Sequence, residues 1–162
     1  MLPARMLLVN GAPFRVLYLC TRNAARSQMA EAITAQQAGA RFEVTSAGAD
    51  PGSEVHPMAI AALAERGIDW SGRHPKSIDD ISGAPWDLVI TVCDHANEAC
   101  PILPGQQARV HWGLDDPQTP ADFRRTLDEL ARRTAALIAL PVESMGTAAL
   151  RHQVQEIADA IA

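Results

Sequence analysis

Apolar positions in this 162-residue chain alternate between short continuous runs and longer stretches of helical period. Arg15-Val16-Leu17-Tyr18-Leu19-Cys20 is a short apolar run and reads as a buried strand. Residues 25–38 carry Met29 and Ile33 at helical spacing, and Gly39 stops the segment. Residues 42–46 read as a second strand that ends in Ala47-Gly48. Residues 57–66 read as a helix with Pro57 in its first turn and Gly67 past its end. Leu88-Val89-Ile90-Thr91-Val92-Cys93 is continuous and β-branched, the pattern of a parallel strand buried on both faces. Residues 108–114 predict a fourth strand. Thr119 then caps a long helix reaching about residue 140. Past Pro141, Thr147 is expected to cap a last helix with Leu150, Val154, Ile157 and Ile161 on one face.

Strands that alternate with helices predict an α/β fold: one doubly wound domain on a four-stranded parallel sheet. No repeat, low-complexity tract or linker divides the chain. Residues 1–14 read as an N-terminal extension, 15–140 as the domain, and 141–162 as a C-terminal helical extension packed on it. Ligands of such sheets sit beyond the carboxyl ends of the strands. Cys20, Cys93 and the pair Asp115-Asp116 all fall at or just after such ends.

Composition narrows the function classes. The chain is 48% hydrophobic and 20% charged, ordinary for a globular protein, with a net charge of −5. Without a basic stripe, a nucleic-acid partner has no electrostatic support. No apolar run approaches the roughly 20 residues that span a bilayer, so no membrane role is expected. The first ten residues have too short an apolar stretch for a secretory signal, and a cytoplasmic protein is expected. Three cysteines, an odd count, argue against a disulfide framework there.

The chemistry concentrates in Cys20-Thr21-Arg22-Asn23-Ala24-Ala25-Arg26-Ser27. A loop of this length between a strand and a helix curls its N–H groups around a tetrahedral oxyanion at the positive end of that helix. Arg26 adds a bidentate fork, and such surroundings lower the thiol pKa of Cys20 below about 8.5. Ser27 is placed to donate a hydrogen bond to the thiolate. The bland alternative is a buried cysteine beside a surface arginine, and C-x5-R by itself is only moderately specific.

These residues resemble the low-molecular-weight protein tyrosine phosphatase superfamily, and more closely its arsenate reductases. Gln28 follows Arg26-Ser27 as in the reductases, where phosphatases usually carry Pro. The likeness runs from about residue 15 to 140, through Ser46-Ala47-Gly48, Gly67-Ile68-Asp69, Cys93, Cys100-Pro101 and His111-Trp112-Gly113-Leu114-Asp115-Asp116-Pro117. The resemblance implies Cys20 as nucleophile, with Arg26 and the amides of residues 21–27 as the oxyanion site. It implies Asn23 as the residue that holds the loop shape, and Asp116 as the general acid. Cys93 and Cys100 match the two further cysteines of a thiol relay. Composition alone makes Asp115-Asp116-Pro117 an acidic turn, and Cys93 and Cys100 packed thiols.

The implied activity is reduction of arsenate to arsenite, with disulfides passing from Cys20–Cys93 to Cys93–Cys100. No bound cofactor is implied, only an external thiol reductant: thioredoxin, or glutathione with glutaredoxin. The second reading is a phosphatase of aryl phosphates, which needs one thiol only. It is weakened by Gln28, by the extra thiols and by the lack of aromatic residues directly after Pro117. The third is a non-catalytic oxyanion-binding module, whose best support is Arg22, a bulky residue where the family often has Gly; a positive φ there would be strained. Cys93, His95 and Cys100 lack the C-x2–4-C spacing of a zinc site. His56, His74 and His152 read as cap or surface residues and His111 as a structural strand residue. Some reductases hold potassium near the loop. Asn23, Glu31 and Ser46 match that set, but Lys76 stands where an acidic ligand belongs, so its ammonium is expected to replace the ion. Finally, Cys93 and Cys100 on one helix would be about 10.5 Å apart in rise. A disulfide needs roughly 4.4–6.8 Å between Cα atoms, so residues 94–100 are expected to unfold locally on oxidation.

Overall fold

The computed structural model describes residues 12–81, 83–94, 103 and 107–161. Four parallel strands, β1 (Phe14–Cys20), β2 (Phe42–Gly48), β3 (Leu88–Thr91) and β4 (Ala108–His111), lie in the order β2-β1-β3-β4. The helices described are α1 (Arg26–Ala38), α2 (Pro57–Glu65), α3 (Pro120–Ile138) and α4 (Thr147–Ala160). The expected α/β architecture is the one observed. β1 and β3 are central and buried on both faces, which is why their sequences are continuous apolar runs.

The strand order reverses around β1: the chain leaves it toward β2 on one side and reaches β3 on the other. The crevice of a doubly wound sheet opens at that switch point. Cys20 closes β1 and Cys93 lies two residues past β3, so both thiols stand at its mouth.

Helix ends follow their local chemistry. His56 caps α2, its Nδ1 accepting from the Met58 N–H, and Pro57 occupies the first turn. Thr119 and Asp122 form a reciprocal capping box on α3. Gly39 and Gly67 take the positive φ values of 57° and 79° that let the chain turn away. Two expectations are corrected. Thr147 is the first helical residue of α4, not its cap, because the Leu150 N–H bonds to Gly146 O and starts the turn one residue earlier. β3 and β4 end at Thr91 and His111, before residues 93 and 114. Val92 still donates to Leu19 O and Leu114 to Val92 O, but the chains open into loops there and release Cys93 and Asp115-Asp116 from the sheet.

α1 and α3 pack together over the sheet, where the buried Tyr18 hydroxyl bonds Thr34, and Thr34 bonds Thr134. α4 packs on β4 and α3. The Gln155 side-chain amide pairs with both the N–H and the C=O of His111, and the Trp112 indole donates to Val154 O. Buried Arg133 donates to Trp112 O and Ile161 O and pairs with Glu129. Among the described residues, no helix is long and apolar enough to cross a membrane.

Candidate active site

The anion loop is shaped by where its carbonyls go. Thr21 O accepts from Asp50 N, Arg22 O from Gly52 N and Ala24 O from His56 N, at 2.8–2.9 Å. Asn23 O accepts from Gln28 Nε2, and Ala25 O from Met29 N. No peptide here is cis, and a trans peptide sets its N–H opposite its C=O. Five successive carbonyls tied in this way leave the amides of residues 22–26 facing away from those partners. α1 adds to this: its N-cap position is Ala25, which gives no side-chain cap, and its first turn has no acidic residue, unlike α3. Its unmet N–H donors and positive end are left for an anion.

The loop needs one left-handed residue, and it is Asn23, at φ 52°. Asparagine tolerates this region better than most residues. Both ends of its side chain are engaged: Oδ1 accepts from Lys76 N at 2.8 Å and Gln28 Nε2 at 3.0 Å, while Nδ2 donates to Ser27 Oγ at 2.8 Å. Arg22 has no positive φ, so the strain considered for it does not arise. Its side chain turns outward to Asp50 at 2.7 Å and is more than half exposed, so it adds its amide to the loop and not its charge. Gly48, at the end of β2, lies against the loop backbone. A Cβ there would sit 2.5 Å from Thr21 O and 2.9 Å from Cys20 O.

Arg26 joins the loop to the segment after β4. Its Nη1 donates to Leu114 O at 2.9 Å, and Nη2 lies 3.6 Å from Asp116 Oδ1. Its Nε is buried with no partner among the described residues, a donor suited to an anion oxygen. Asp116 is exposed and also accepts from Gln118 Nε2. It borders a cleft of about 320 Å³ lined by Asp115, Pro117, Asp122 and Glu129 among others.

Cys20 and Cys93 are buried and neither is in a disulfide. Thr21 Oγ1 lies 3.5 Å from Cys93 Sγ. Contact with Cys93 pushes the Cys20 thiol up most, then burial, then the Cys93 charge; Arg26 and the Arg22 amide pull it down. Ionising one of two neighbouring thiols disfavours ionising the other, so the second ionisation of the pair is the one raised. The lowering expected from the loop alone is thus opposed while Cys93 stays in contact. Ser27 is buried, and its Oγ accepts from Asn23 Nδ2.

Below the loop, buried Glu31 accepts from Ser46 Oγ at 2.6 Å and meets Lys76 Nζ at 3.3 Å and Arg73 at 3.7 Å. Two protein cations already serve this carboxylate, so the donor set does not fit a further metal cation.

A family model described as low molecular weight phosphotyrosine protein phosphatase matches residues 15–156. The chain belongs to that family. Within it, sequence and fold group the chain with arsenate reductases. It is 40% identical over 126 residues to an arsenate reductase of Halalkalibacterium halodurans, covering 73% of this chain and 90% of the relative. A solved arsenate reductase in a phosphate-binding state aligns with a TM-score of 0.68 at 34% identity, over 78% of this chain and 97% of that one. A thioredoxin-dependent arsenate reductase of Corynebacterium glutamicum gives 0.65 at 34% identity, over 82% and 66%.

Of the residues singled out by sequence, Cys20, the loop 21–27, Cys93 and Asp116 meet at this one crevice. Cys100 and His95 lie outside the described residues, as do most of residues 94–100. His111 ends β4, with Nδ1 2.7 Å from Thr91 Oγ1 and Nε2 2.8 Å from Asp94 Oδ1. Sequence reasoning missed Trp70, whose indole donates to Gln28 Oε1 at 2.8 Å, and Arg73, which stacks over Trp70 at 3.9 Å. A tryptophan in a polar loop stretch, two residues past Gly67-Ile68, was the available signal.

Proposed function

We propose that this protein reduces arsenate to arsenite by a three-thiol relay in the cytoplasm. The observation that carries this reading is a second buried thiol at the oxyanion loop, Cys93, with Sγ 3.5 Å from the Oγ1 of Thr21 next to Cys20, since a phosphatase has no use for a second thiol there. Arsenate is held by the amides of residues 22–26 and by Arg26. Cys20 attacks arsenic, and Asp116 protonates the departing oxygen, which leaves as water. The Cys93 thiolate then attacks Cys20 Sγ. The S–As electron pair stays on arsenic, which leaves as arsenite with two more electrons, and a Cys20–Cys93 disulfide forms. Cys100 attacks Cys93, freeing Cys20, and an external dithiol reduces Cys93–Cys100. The thioredoxin-dependent relative favours a thioredoxin-like donor over glutathione with glutaredoxin.

The test is arsenite formation by wild type and by Cys20→Ser, Cys93→Ser and Cys100→Ser with each donor, beside aryl-phosphate hydrolysis. Turnover should need all three cysteines. Hydrolysis needing Cys20 alone, with no arsenite from either donor, would make the protein a phosphatase.

The Lys76 ammonium serves as the resident cation of Glu31, in place of potassium, supported by its 3.3 Å approach. Turnover should therefore be equal in potassium and sodium at matched ionic strength. Strong selective activation by potassium would rule this out.

A further inference from the structure

His111 closes β4, and the two nitrogens of its ring reach two residues on either side of Cys93. Nδ1 lies 2.7 Å from Thr91 Oγ1, and Nε2 lies 2.8 Å from Asp94 Oδ1. The ring thus spans the point where the chain leaves the sheet with the second thiol. A carboxylate only accepts, so a hydrogen on Nε2 points to Asp94. In the neutral ring Nδ1 then accepts from the Thr91 hydroxyl. In the protonated ring Nδ1 donates to that oxygen, whose own hydrogen can turn to Val110 O at 3.4 Å. Asp94 is held in both states.

The two ends of this link differ. Thr91 is fully buried, which also removes it as a nucleophile of a Thr–His–Asp group, whereas the Asp94 side chain is 90% exposed. Water replaces the outer bond at little cost and cannot reach the inner one. The ring stays in place when Asp94 leaves, because Gln155 holds both backbone groups of His111. Gly113 is an independent sign that the pair is accommodated. Its backbone is not left-handed, yet a Cβ there would lie 2.9 Å from His111 Nε2 and 3.0 Å from Asp94 Oδ1. Glycine at this position leaves room for the pair.

We propose that His111 is a positioning residue of the thiol relay. Through Asp94 it holds Cys93 at the anion loop for the exchange with Cys20, and it releases Asp94 when Cys93 turns to its second partner. This inference rests on the relay reading and adds to it a latch with a fixed inner end and a releasable outer end.

The experiment uses the full chain with Cys100→Ser, which permits the first exchange only. Cys20 and Cys93 give two electrons to one arsenate, end as a disulfide and release one arsenite, timed by rapid quench. Asp94→Ala and Asp94→Asn both remove the charge beside Cys93, and only Asn keeps an acceptor for the Nε2 hydrogen. The arsenite burst should be about three-fold slower in Asp94→Ala than in Asp94→Asn, the scale of one exposed hydrogen bond. In a His111→Ala background that difference should vanish. Phosphate protection of Cys20 against iodoacetamide should be the same in all of these variants. With Cys100 restored, transfer of the disulfide from Cys20–Cys93 to Cys93–Cys100 should be faster in Asp94→Ala than in Asp94→Asn. Equal bursts in the two Asp94 variants overturn the proposal, and so does a difference that persists without the His111 ring. Slowing of both exchanges in Asp94→Ala also overturns it, since the pair would then only support the fold. A Cys100→Ser parent that releases no arsenite and forms no Cys20–Cys93 disulfide removes the relay reading itself; a parent that does both, with equal Asp94 variants, removes the latch alone.

Discussion

Gly48 and Gly113 stand on opposite sides of the crevice, and the same added methyl group would meet very different resistance at each. At Gly48 it meets backbone atoms of Thr21, Cys20 and Asn23, at 2.5, 2.9 and 3.0 Å. At Gly113 it meets the tips of two side chains, His111 Nε2 at 2.9 Å and Asp94 Oδ1 at 3.0 Å. The first side holds Cys20 in a loop tied by five carbonyls and by the buried hydrogen bonds that run from Trp70 through Gln28 to Asn23. The second holds Cys93 by a 3.5 Å contact with Thr21 and, one residue on, by the Asp94–His111 pair, where Asp94 is almost fully exposed. The difference matches the two tasks proposed. An oxyanion cradle works by staying still, whereas a relay thiol has to travel between partners.

Substitutions can break that contrast, in descending order of effect. Gly48→Ala should destabilise the fold by about 3 kcal/mol and abolish oxyanion binding, read by denaturant melts and by phosphate protection of Cys20. Wild-type protection would mean that the loop yields more easily than its ties suggest. Cys93→Ala removes the largest influence raising the Cys20 thiol, so its alkylation midpoint should move to lower pH. A midpoint that stays put would show the two thiols to be independent. Gly113→Ala should cost less than about 1 kcal/mol, since it parts an exposed pair. Amide exchange at Cys93 and Asp94 should quicken while the protection of Asp50, Gly52 and His56, whose N–H groups tie the loop, holds; equal quickening on both sides would erase the contrast. Arg22→Ala should change stability by no more than about 0.5 kcal/mol, because the Arg22–Asp50 pair is exposed. A larger loss in a thermal melt would give Arg22 a part in the cradle.

What the sequence revealed was what is local. Apolar runs announced β1 and β3, and Cys20 to Ser27 is one unbroken segment whose spacing implies its curl. The ends of β3 and β4 were overrun because the apolar residues Val92 and Leu114 continue past the last paired positions. Thr147 was misjudged because a threonine before an apolar face looks like a cap whether or not the turn has already begun. The positive φ was weighed at Arg22 from family habit, yet it falls one residue later, at Asn23. Least legible were contacts between distant segments: Gly48 under the loop, Trp70 on Gln28, Gln155 on His111. No periodicity encodes these, because each arises only once the sheet has brought its strands together.

α4 has a consequence for how copies of this protein meet one another. β4 is an outer strand, and an outer strand offers unpaired N–H and C=O groups to any other strand that comes near. Here the Gln155 amide occupies both groups of His111 as a neighbouring strand would, and Arg133 pins the end of the helix through Ile161 O. The C-terminal helix is thus a guard against strand-to-strand association. A chain clipped ahead of Thr147 would be expected to lose solubility before it lost its chemistry.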